Sequence, residues 1–365
     1  MTAPRLEIDL SKIRHNAQVL VKTLADRGIG VSGVTKAMLG NPLFANTLLS
    51  AGIRDLADSR VENIENMRKA GVDGQMELIR SPMLSQAARV VKSANISLNT
   101  ELETIAALSA AACAQNCVHG ILLMVELGDL REGIMPSDLE DMVRRTLAVP
   151  NIRLDGIGTN LACQNGVVPD ARNMGELSAL ADAIDATFDR TFPVVSGGNS
   201  ANLNWALGEG KKGRINNLRL GEAILLGCEP LHRQPLDGLY ADAFVLVAEV
   251  IECKTKPSQP TGTIGQTAFG SAKSAANTGP IRQALLAIGH ADTDPTGLAP
   301  IHQGLKVLGA SSDHLILDTQ DQTCPIGSEV AFSLNYSALI HAMASPFVTK
   351  QYHQNSASRG SIAAA

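Results

Sequence analysis

Lys36 closes an apolar run at 30–35 (GVSGVT), a place where an ammonium is either paired or put to use. A lysine whose pKa is lowered is the amine that forms Schiff bases with carbonyl groups; the alternative is a rim lysine held in a salt bridge. A second cluster is Ser196-Gly197-Gly198-Asn199-Ser200, which leads directly into a helical stretch at 201–208. Glycines let backbone N–H groups converge, and a helix N-terminus attracts an anion. The run therefore reads as a phosphate cradle, or else as a glycine turn with a serine cap. Gly221, just past a later apolar run, is placed to add further backbone donors. A carbonyl and a phosphate on one ligand describe pyridoxal 5'-phosphate (PLP), which suits both clusters.

These residues need elements to position them. Over the first 230 residues, short Val/Ile/Leu-rich runs alternate with longer amphipathic ones. Strands are expected at 30–35, 53–57, 76–80, 95–98, 119–126, 154–158, 192–196 and 216–220. Helices are expected between them, at 41–50, 60–70, 84–92, 101–115, 137–148 and 169–189. Eight such units make a (β/α)8 barrel, whose functional residues gather at the C-terminal ends of the strands. Lys36, Asp58-Ser59-Arg60, Arg80-Ser81, Asn99, Glu126, Arg131, Asn160, Ser196–Ser200 and Arg219–Glu222 all fall there. An open doubly wound sheet would need a GxGxxG turn after its first strand, where this chain has KAMLGNP. Beyond residue 230 the pattern becomes short alternating runs at 241–252, 283–289, 304–309, 314–318 and 328–334, separated by Gly, Pro, Asp and Thr. The expected organisation is α/β: a barrel over 11–230, then an all-β domain from 1–10 and 231–352, with a small polar tail at 353–365 expected to be disordered.

Composition narrows the function. A net charge of −5 over 365 residues gives no footprint for nucleic acid or an anionic membrane. No apolar stretch reaches the roughly 18 residues of a membrane span, and the N-terminus lacks a basic-then-apolar leader, so a cytoplasmic setting is expected. The six cysteines are scattered, with no CxxC, and the eight histidines form no HxH or HxxxH pair. No structural metal is expected. Cys113 and Cys117 are spaced to share one helix face.

At this point the chain resembles the fold-type III PLP enzymes of the alanine racemase family, and within it the ornithine and lysine racemase branch. The resemblance covers nearly the whole chain. It is carried by LEIDL at 6–10, VTKA at 34–37, ADSRVENIENM at 57–67, IRSPML at 79–84, VELGDLREGI at 125–134, GIGTN at 156–160, VSGGNS at 195–200, RLG at 219–221, AIGHAD at 287–292 and GASSDHL at 309–315. It implies a PLP-dependent isomerase that racemises an amino acid, with basic ones such as ornithine and lysine expected. Lys36 would carry the cofactor, Ser196 to Ser200 and Gly221 would meet its phosphate, and Arg219 its pyridine nitrogen. Arg131 would lie near the phenolic oxygen and the substrate. Asn160 stands where the family has a histidine against the ring. His290 stands where alanine racemase has its catalytic tyrosine. Asp313 and Tyr352 match a loop and a terminal tyrosine that reach the substrate. The implied assembly is a head-to-tail homodimer with shared active sites.

Under this reading Lys36 and His290 are the two bases, one on each face of the substrate carbon; an imidazole titrating near about 6.5 suits either direction of transfer. Asp292, Asp294, Asp313 and Glu132 are candidates for meeting a distal ammonium. The competing activities are a fold-type III amino-acid decarboxylase, for which Cys324 is poorly placed, and a non-catalytic PLP-binding protein. Loss of optical rotation by a single L-amino acid, without CO2 release, separates the three.

Overall fold

The computed structural model describes residues 2–271, 278–320 and 322–354. The chain divides into two compact units, one spanning Ile13–Ala241 and the other built from the segments up to Lys12 and from Asp242 onward.

The chain opens with β1 (Arg5–Asp9) and α1 (Leu10–Ala25), whose first turn crosses from one unit into the other. Eight parallel strands then close into a barrel: β2 (Gly30–Val34), β3 (Asp55–Asp58), β4 (Gln75–Leu78), β5 (Ile96–Asn99), β6 (His119–Met124), β7 (Ile152–Gly158), β8 (Val194–Ser196) and β9 (Asn217–Leu220). Closure comes from β2 pairing with β9, Ser32 opposite Arg219. The expected (β/α)8 barrel is therefore present, with each expected strand within a few residues of its place. Helices α2 (Pro42–Ser50), α3 (Val61–Lys69), α4 (Ala87–Ser93), α5 (Leu102–Ala114), α6 (Leu139–Leu147), α7 (Ala171–Phe188) and α8 (Leu203–Leu207) lie between them, and α9 (Glu222–Leu226) follows β9. Their starts are set locally. Asn41 accepts from the N–H groups of Leu43 and Phe44 ahead of Pro42, and Asp170 with Asn173 forms a reciprocal cap on α7. Because α5 ends at Ala114, Cys117 lies beyond it and shares no helix face with Cys113.

The barrel interior is divided by chemistry. Leu98, Leu122 and Met124 pack with Ile79, Ile96 and Val194. These come from strands that are not all neighbours, so they meet inside. The hydroxyl of Ser32 on β2 reaches Glu77 on β4 across the intervening strand, so that contact also lies inside. Residues 231–241, assigned by texture to the second domain, belong with the barrel unit. Asn16 holds them there, donating to Ile224 and Tyr240 carbonyls and accepting from Tyr240 N–H, while His15 packs edge-on against the Tyr240 ring.

The second unit contains β10 (Phe244–Pro257), β11 (Gln266–Thr267), β12 (Gly270–Ser271), β13 (Pro280–Leu286), β14 (Leu298–Pro300), β15 (Lys306–Ala310), β16 (Leu315–Asp318), β17 (Glu329–Leu334), α10 (Tyr336–Ala344) and β18 (Thr349–His353). Its main sheet runs β14-β17-β10-β13-β16-β15, and β1 joins by pairing antiparallel with β10 and parallel with β18. Arg5 donates two hydrogen bonds to the Glu329 carboxylate, at 2.5 and 2.8 Å. His353, placed in the tail by its composition, ends β18 opposite Asp9. The rest of that tail, 355–365, lies outside the described residues.

Gly156 on β7 shows what barrel closure demands. A Cβ there would stand 1.8 Å from the carbonyl oxygen of Val194 on β8. Gly156→Ala should lower Tm by several degrees, since a forced backbone shift costs about 1–3 kcal/mol and a domain of this size loses about 2–4 °C per kcal/mol. Gly175→Ala within α7 has open space around the new methyl and should hold or raise Tm. Equal melting of the two variants contradicts this account.

Candidate active site

Lys36 leads a short helical turn immediately after β2. The residue before it is pinned: Thr35 N–H donates to Ala57 O at 2.8 Å and Thr35 Oγ1 to Asp58 Oδ2 at 2.7 Å. Asp58 is buried at the end of β3 and also accepts from Arg60 N–H and Asn63 Nδ2. Burial pushes its carboxyl upward, and these donors work against that. After Lys36 the chain turns sharply at Leu39, which takes a left-handed conformation (φ 54°) with its N–H on the Lys36 carbonyl. The lysine backbone is thus fixed from both sides. Its side chain is exposed, with no hydrogen-bond or ion-pair partner among the described residues.

The Gly-rich run follows β8. A Cβ on Gly197 would meet Ile215 Cγ2 at 2.7 Å, and one on Gly198 (φ +137°) would meet Asn202 Oδ1 at 2.3 Å, so both positions exclude a side chain. Asn199 accepts from Ala201 N–H and donates to Asn160 Oδ1 at 3.1 Å and Leu161 O at 2.8 Å. The buried Ser200 hydroxyl accepts from Gly221 N–H at 3.4 Å and Ala223 N–H at 3.2 Å, at the start of α9. These long contacts leave both N–H groups with donor capacity. Ser196 behaves differently from its neighbours in the run. It is fully buried, accepting from Arg219 Nη1 and donating to Asn217 Oδ1, and so supports the arginine instead of facing a ligand. Arg219, 4% exposed, also donates from Nη2 to Thr159 O at 2.8 Å. Burial pulls its pKa down to about 10, against the raising influence of Glu77 and Cys163.

Arg131 lies in the loop after β6, its guanidinium paired with Glu132. That loop is drawn together by two carboxylates. Glu126 accepts from the N–H groups of Gly128, Leu130 and Arg131. Buried Asp129 accepts from the N–H groups of Cys163, Gln164 and Asn165 in the loop after β7. This second tie fixes Arg131's loop to the loop carrying Asn160. Asn160 Nδ2 lies 3.0 Å from Cys163 Sγ, which also takes a 3.4 Å contact from Asn199 Nδ2. Neither Cys163 nor the interior residues Glu77 and Asn217 was singled out by sequence; the available signal was an acid inside a strand whose neighbours are apolar.

In the other unit, the two family-like segments meet. His290 N–H donates to Ser311 O at 3.0 Å and Ala291 N–H to Ser312 O at 2.9 Å. A Cβ on Gly289 would lie 2.3 Å from Ser312 O, so this close seam needs glycine. The His290 ring stacks on Phe269 with centroids 4.0 Å apart. Asp313 is exposed and accepts from its neighbour Ser312. Of the other acids considered for a distal ammonium, Asp292 is occupied by Gly289 N–H and Ser345 Oγ, Asp294 by Thr296 and Ser337, and Glu132 by Arg131. Tyr352 is half-buried on β18, and burial raises its hydroxyl pKa. Among the described residues no three His, Cys, Asp or Glu are grouped to hold a metal ion, and no helix is long and apolar enough to cross a membrane.

The barrel-mouth donor set fits a ligand with a carbonyl, a phosphate and a ring acceptor. It offers a lysine amine without a partner, a Ser200–Gly221–Ala223 cradle with backbone room kept by glycines, and a buried cationic donor in Arg219.

Residues 8–230 match the family described as "Alanine racemase, N-terminal domain". The chain is 38% identical to an ornithine racemase from Acetoanaerobium sticklandii, over 95% of this chain and 99% of that protein. It is also 38% identical to a lysine racemase from Thermotoga maritima, over 96% and 99%. Among solved structures it resembles an alanine racemase from Streptomyces coelicolor A3(2) with a TM-score of 0.75 at 17% identity, covering 96% and 98% of the two chains. A D-threonine aldolase from Filomicrobium marinum gives 0.73 at 15%, covering 94% and 89%. At such identities the structural likeness speaks for the fold.

Asp129 provides a direct test of how the mouth is held. Burial works to raise its pKa, but the N–H donors of Gln164, Asn165 and Cys163 outweigh it and hold the carboxyl below its ordinary value. A depressed carboxylate contributes stability above its unfolded pKa and loses it as pH falls through the folded one. Asp129→Ala should therefore lower Tm at neutral pH and narrow the stability gap in acid. It should also open 160–168 to limited proteolysis, since three N–H groups lose a charged acceptor. Wild-type protease resistance in the variant contradicts the assignment.

Proposed function

The chain belongs to the alanine racemase family, and on that premise we propose that it interconverts the L and D forms of a basic amino acid, ornithine or lysine, using PLP. The observation that carries the cofactor reading is the lysine amine at the end of β2 in the same barrel mouth as the Ser200–Gly221–Ala223 cradle. The substrate class rests on the two full-length relatives, one named for ornithine and the other for lysine.

When bound, PLP supplies the electron sink that acidifies the substrate's Cα–H. Lys36 would hold the cofactor through its side-chain amine and would be the group that moves the proton on one face of the substrate carbon. Ser200 and the N–H groups of Gly221 and Ala223 take the phosphate, with Gly197, Gly198 and Asn199 shaping the approach. Arg219 would meet the ring nitrogen as a charged donor. Ser196 orients Arg219. Arg131 would serve the phenolic oxygen and the substrate carboxylate, and Asn160 would stand on the ring's side of the site. His290, from a second copy of the chain, exchanges the proton on the opposite face, with Asp313 and Tyr352 meeting the substrate. On this reading the working form is a head-to-tail homodimer with shared sites. We place it in the cytoplasm, where its six cysteines, all free of disulfides, remain reduced.

Lys36→Ala should remove the bound cofactor's near-visible absorbance and lower turnover by several orders of magnitude. Borohydride reduction of the unaltered protein should fix PLP to the peptide containing Lys36; a label elsewhere, or none, defeats the cofactor reading. His290→Ala should keep PLP but lose about 10²–10⁴-fold in turnover, the usual contribution of a positioned acid or base. Solvent deuterium entry should then fall more from one enantiomer than from the other. Mixing the two inactive variants should restore some activity if sites are shared, and failure to do so removes the composite site. Loss of optical rotation from L-ornithine or L-lysine without CO2 release is the outcome expected of a racemase; CO2 release points to a decarboxylase, and PLP binding without α-proton exchange to a carrier.

A further inference from the structure

An unbroken run of hydrogen bonds inside the barrel joins Arg219 to a buried acid. Arg219 Nη1 donates to Ser196 Oγ, and Ser196 Oγ donates to Asn217 Oδ1. Asn217 Nδ2 donates to Ser32 Oγ at 2.9 Å, and Ser32 Oγ donates to Glu77 Oε1 at 3.1 Å. Every link points the same way, from guanidinium to carboxylate. The asparagine fits in only one orientation, because Ser196 needs an acceptor and Ser32 receives a donor. Aligned chains of this kind polarise one another.

Both ends of this run are deprived of water. Arg219 is 4% exposed and Glu77 6%, and a buried charge without compensation is costly. No carboxylate of the described residues lies within ion-pair distance of Arg219. The charged groups facing Glu77 are Asp55 from β3 and Arg219 from β9. Ser32 comes from β2, and the register partner on β5 is the uncharged Ile96.

We infer that Glu77 is a positioning residue for the reaction: through Ser32, Asn217 and Ser196 it balances and orients Arg219, and so sets from within the barrel the field that Arg219 applies to the cofactor's ring nitrogen. The inference rests on the proposed function only for the identity of what Arg219 faces. Burial pushes Glu77 up to about 7, with Asp55 adding to the rise and Arg219 and Ser32 opposing it. Both protonation states are therefore populated near neutrality. Above that point the relay ends on a carboxylate that offsets Arg219; below it, the acid is neutral and the arginine's charge is less compensated. For folding, a raised carboxyl pKa contributes stability that is complete below the ordinary glutamate value and is lost as pH rises through about 7.

The test uses the full-length protein, loaded with PLP and stripped of it. In the loaded protein, absorbance of the bound cofactor between pH 5.5 and 9 should show a step near 7 that Glu77→Gln removes. Ser32→Ala cuts the last link while leaving the acid, so the step should shrink and move to higher pH; a merely structural role for Ser32 does not move a midpoint. In the stripped protein, Tm should fall between pH 5 and 8 by at least about twofold more in the unaltered chain than in Glu77→Gln. An unchanged absorbance step in both variants, or matching Tm profiles, overturns the inference. If the unaltered chain takes up no PLP, the proposed function fails, and the melting comparison still decides the relay. If Glu77→Gln does not fold, Ser32→Ala decides it by the shift or constancy of its midpoint.

Discussion

A guanidinium held inside a barrel is the constraint from which most of this structure follows. Barrel interiors are ordinarily filled by layers of branched apolar side chains. Here that holds for the part formed by Ile79, Ile96, Leu98, Leu122, Met124 and Val194. The strands around Arg219 depart from it. Its N–H donors need acceptors out of reach of water, and the Thr159 carbonyl and Ser196 hydroxyl take two of the five. Ser196 then has a proton to place, Asn217 accepts it, and the need passes inward until it reaches an acid. A single buried charge therefore accounts for polar residues on β2, β4, β8 and β9, and for the inward turn of Ser196 while Ser200 is left at the cradle.

The loops that carry the mouth residues are organised by a second rule. Each is gathered by a side-chain acceptor: Glu126 and Asp129 after β6 collect three backbone N–H groups apiece, Asp58 at the end of β3 takes Arg60 N–H with the Thr35 and Asn63 side chains, and Asn199 after β8 takes Ala201 N–H. Such loops lack a ladder to satisfy their N–H groups, and a carboxylate or carboxamide substitutes for it while narrowing the conformations available. Positioning of this kind matters because misplacement of a reacting group by about 1 Å can cost about 10²-fold in rate. Lys36 shows the same economy from the other direction: its backbone is fixed by Thr35 and the turn at Leu39, so the long side chain is the part left to move.

How much of this was legible in the sequence depends on the range of the interaction. The barrel strands were readable because each is a buried apolar run between helix signals, and that reading put Lys36, the Ser196–Ser200 run and Arg219 at or near the ends of strands β2, β8 and β9. Glu77 was not, since in the four-residue strand QMEL the period of 2 cannot say which side faces the axis and which the helices. The reach of Asn16 to Tyr240 could not be seen either, because it joins residues 224 positions apart, and so the texture boundary near 230 missed the segment tied back to the barrel. Ser196 and Ser200 look alike in sequence. Four residues and a glycine pair place one hydroxyl inside the barrel and the other at a helix start. The three-residue β14 and the five-residue β18 are too short or too polar to announce themselves.

The fold itself is shared with solved structures named an alanine racemase and a D-threonine aldolase, at 17% and 15% identity to this chain. What separates such reactions on one scaffold is the set of groups that face the substrate carbon and the electronic demand placed on the ring, so the informative positions are those where this chain departs from the family pattern. Asn160 replaces an imidazole, and its carboxamide is already engaged with Cys163 and Asn199. Under the proposed function it would bring no charge to a bound ring, which would leave Arg219 as the charged group beside it. A protonated arginine there would weaken the electron sink, and a weaker sink would make each proton transfer rely more on a well-placed base. On the proposed function that base is His290, which stands where the resemblance puts a tyrosine and whose imidazole can either accept or donate a proton. On that reading the two departures are consistent with one another, a carboxamide toward the ring and an imidazole toward the carbon, and the interior acid that balances Arg219 would serve the chemistry as well as the packing.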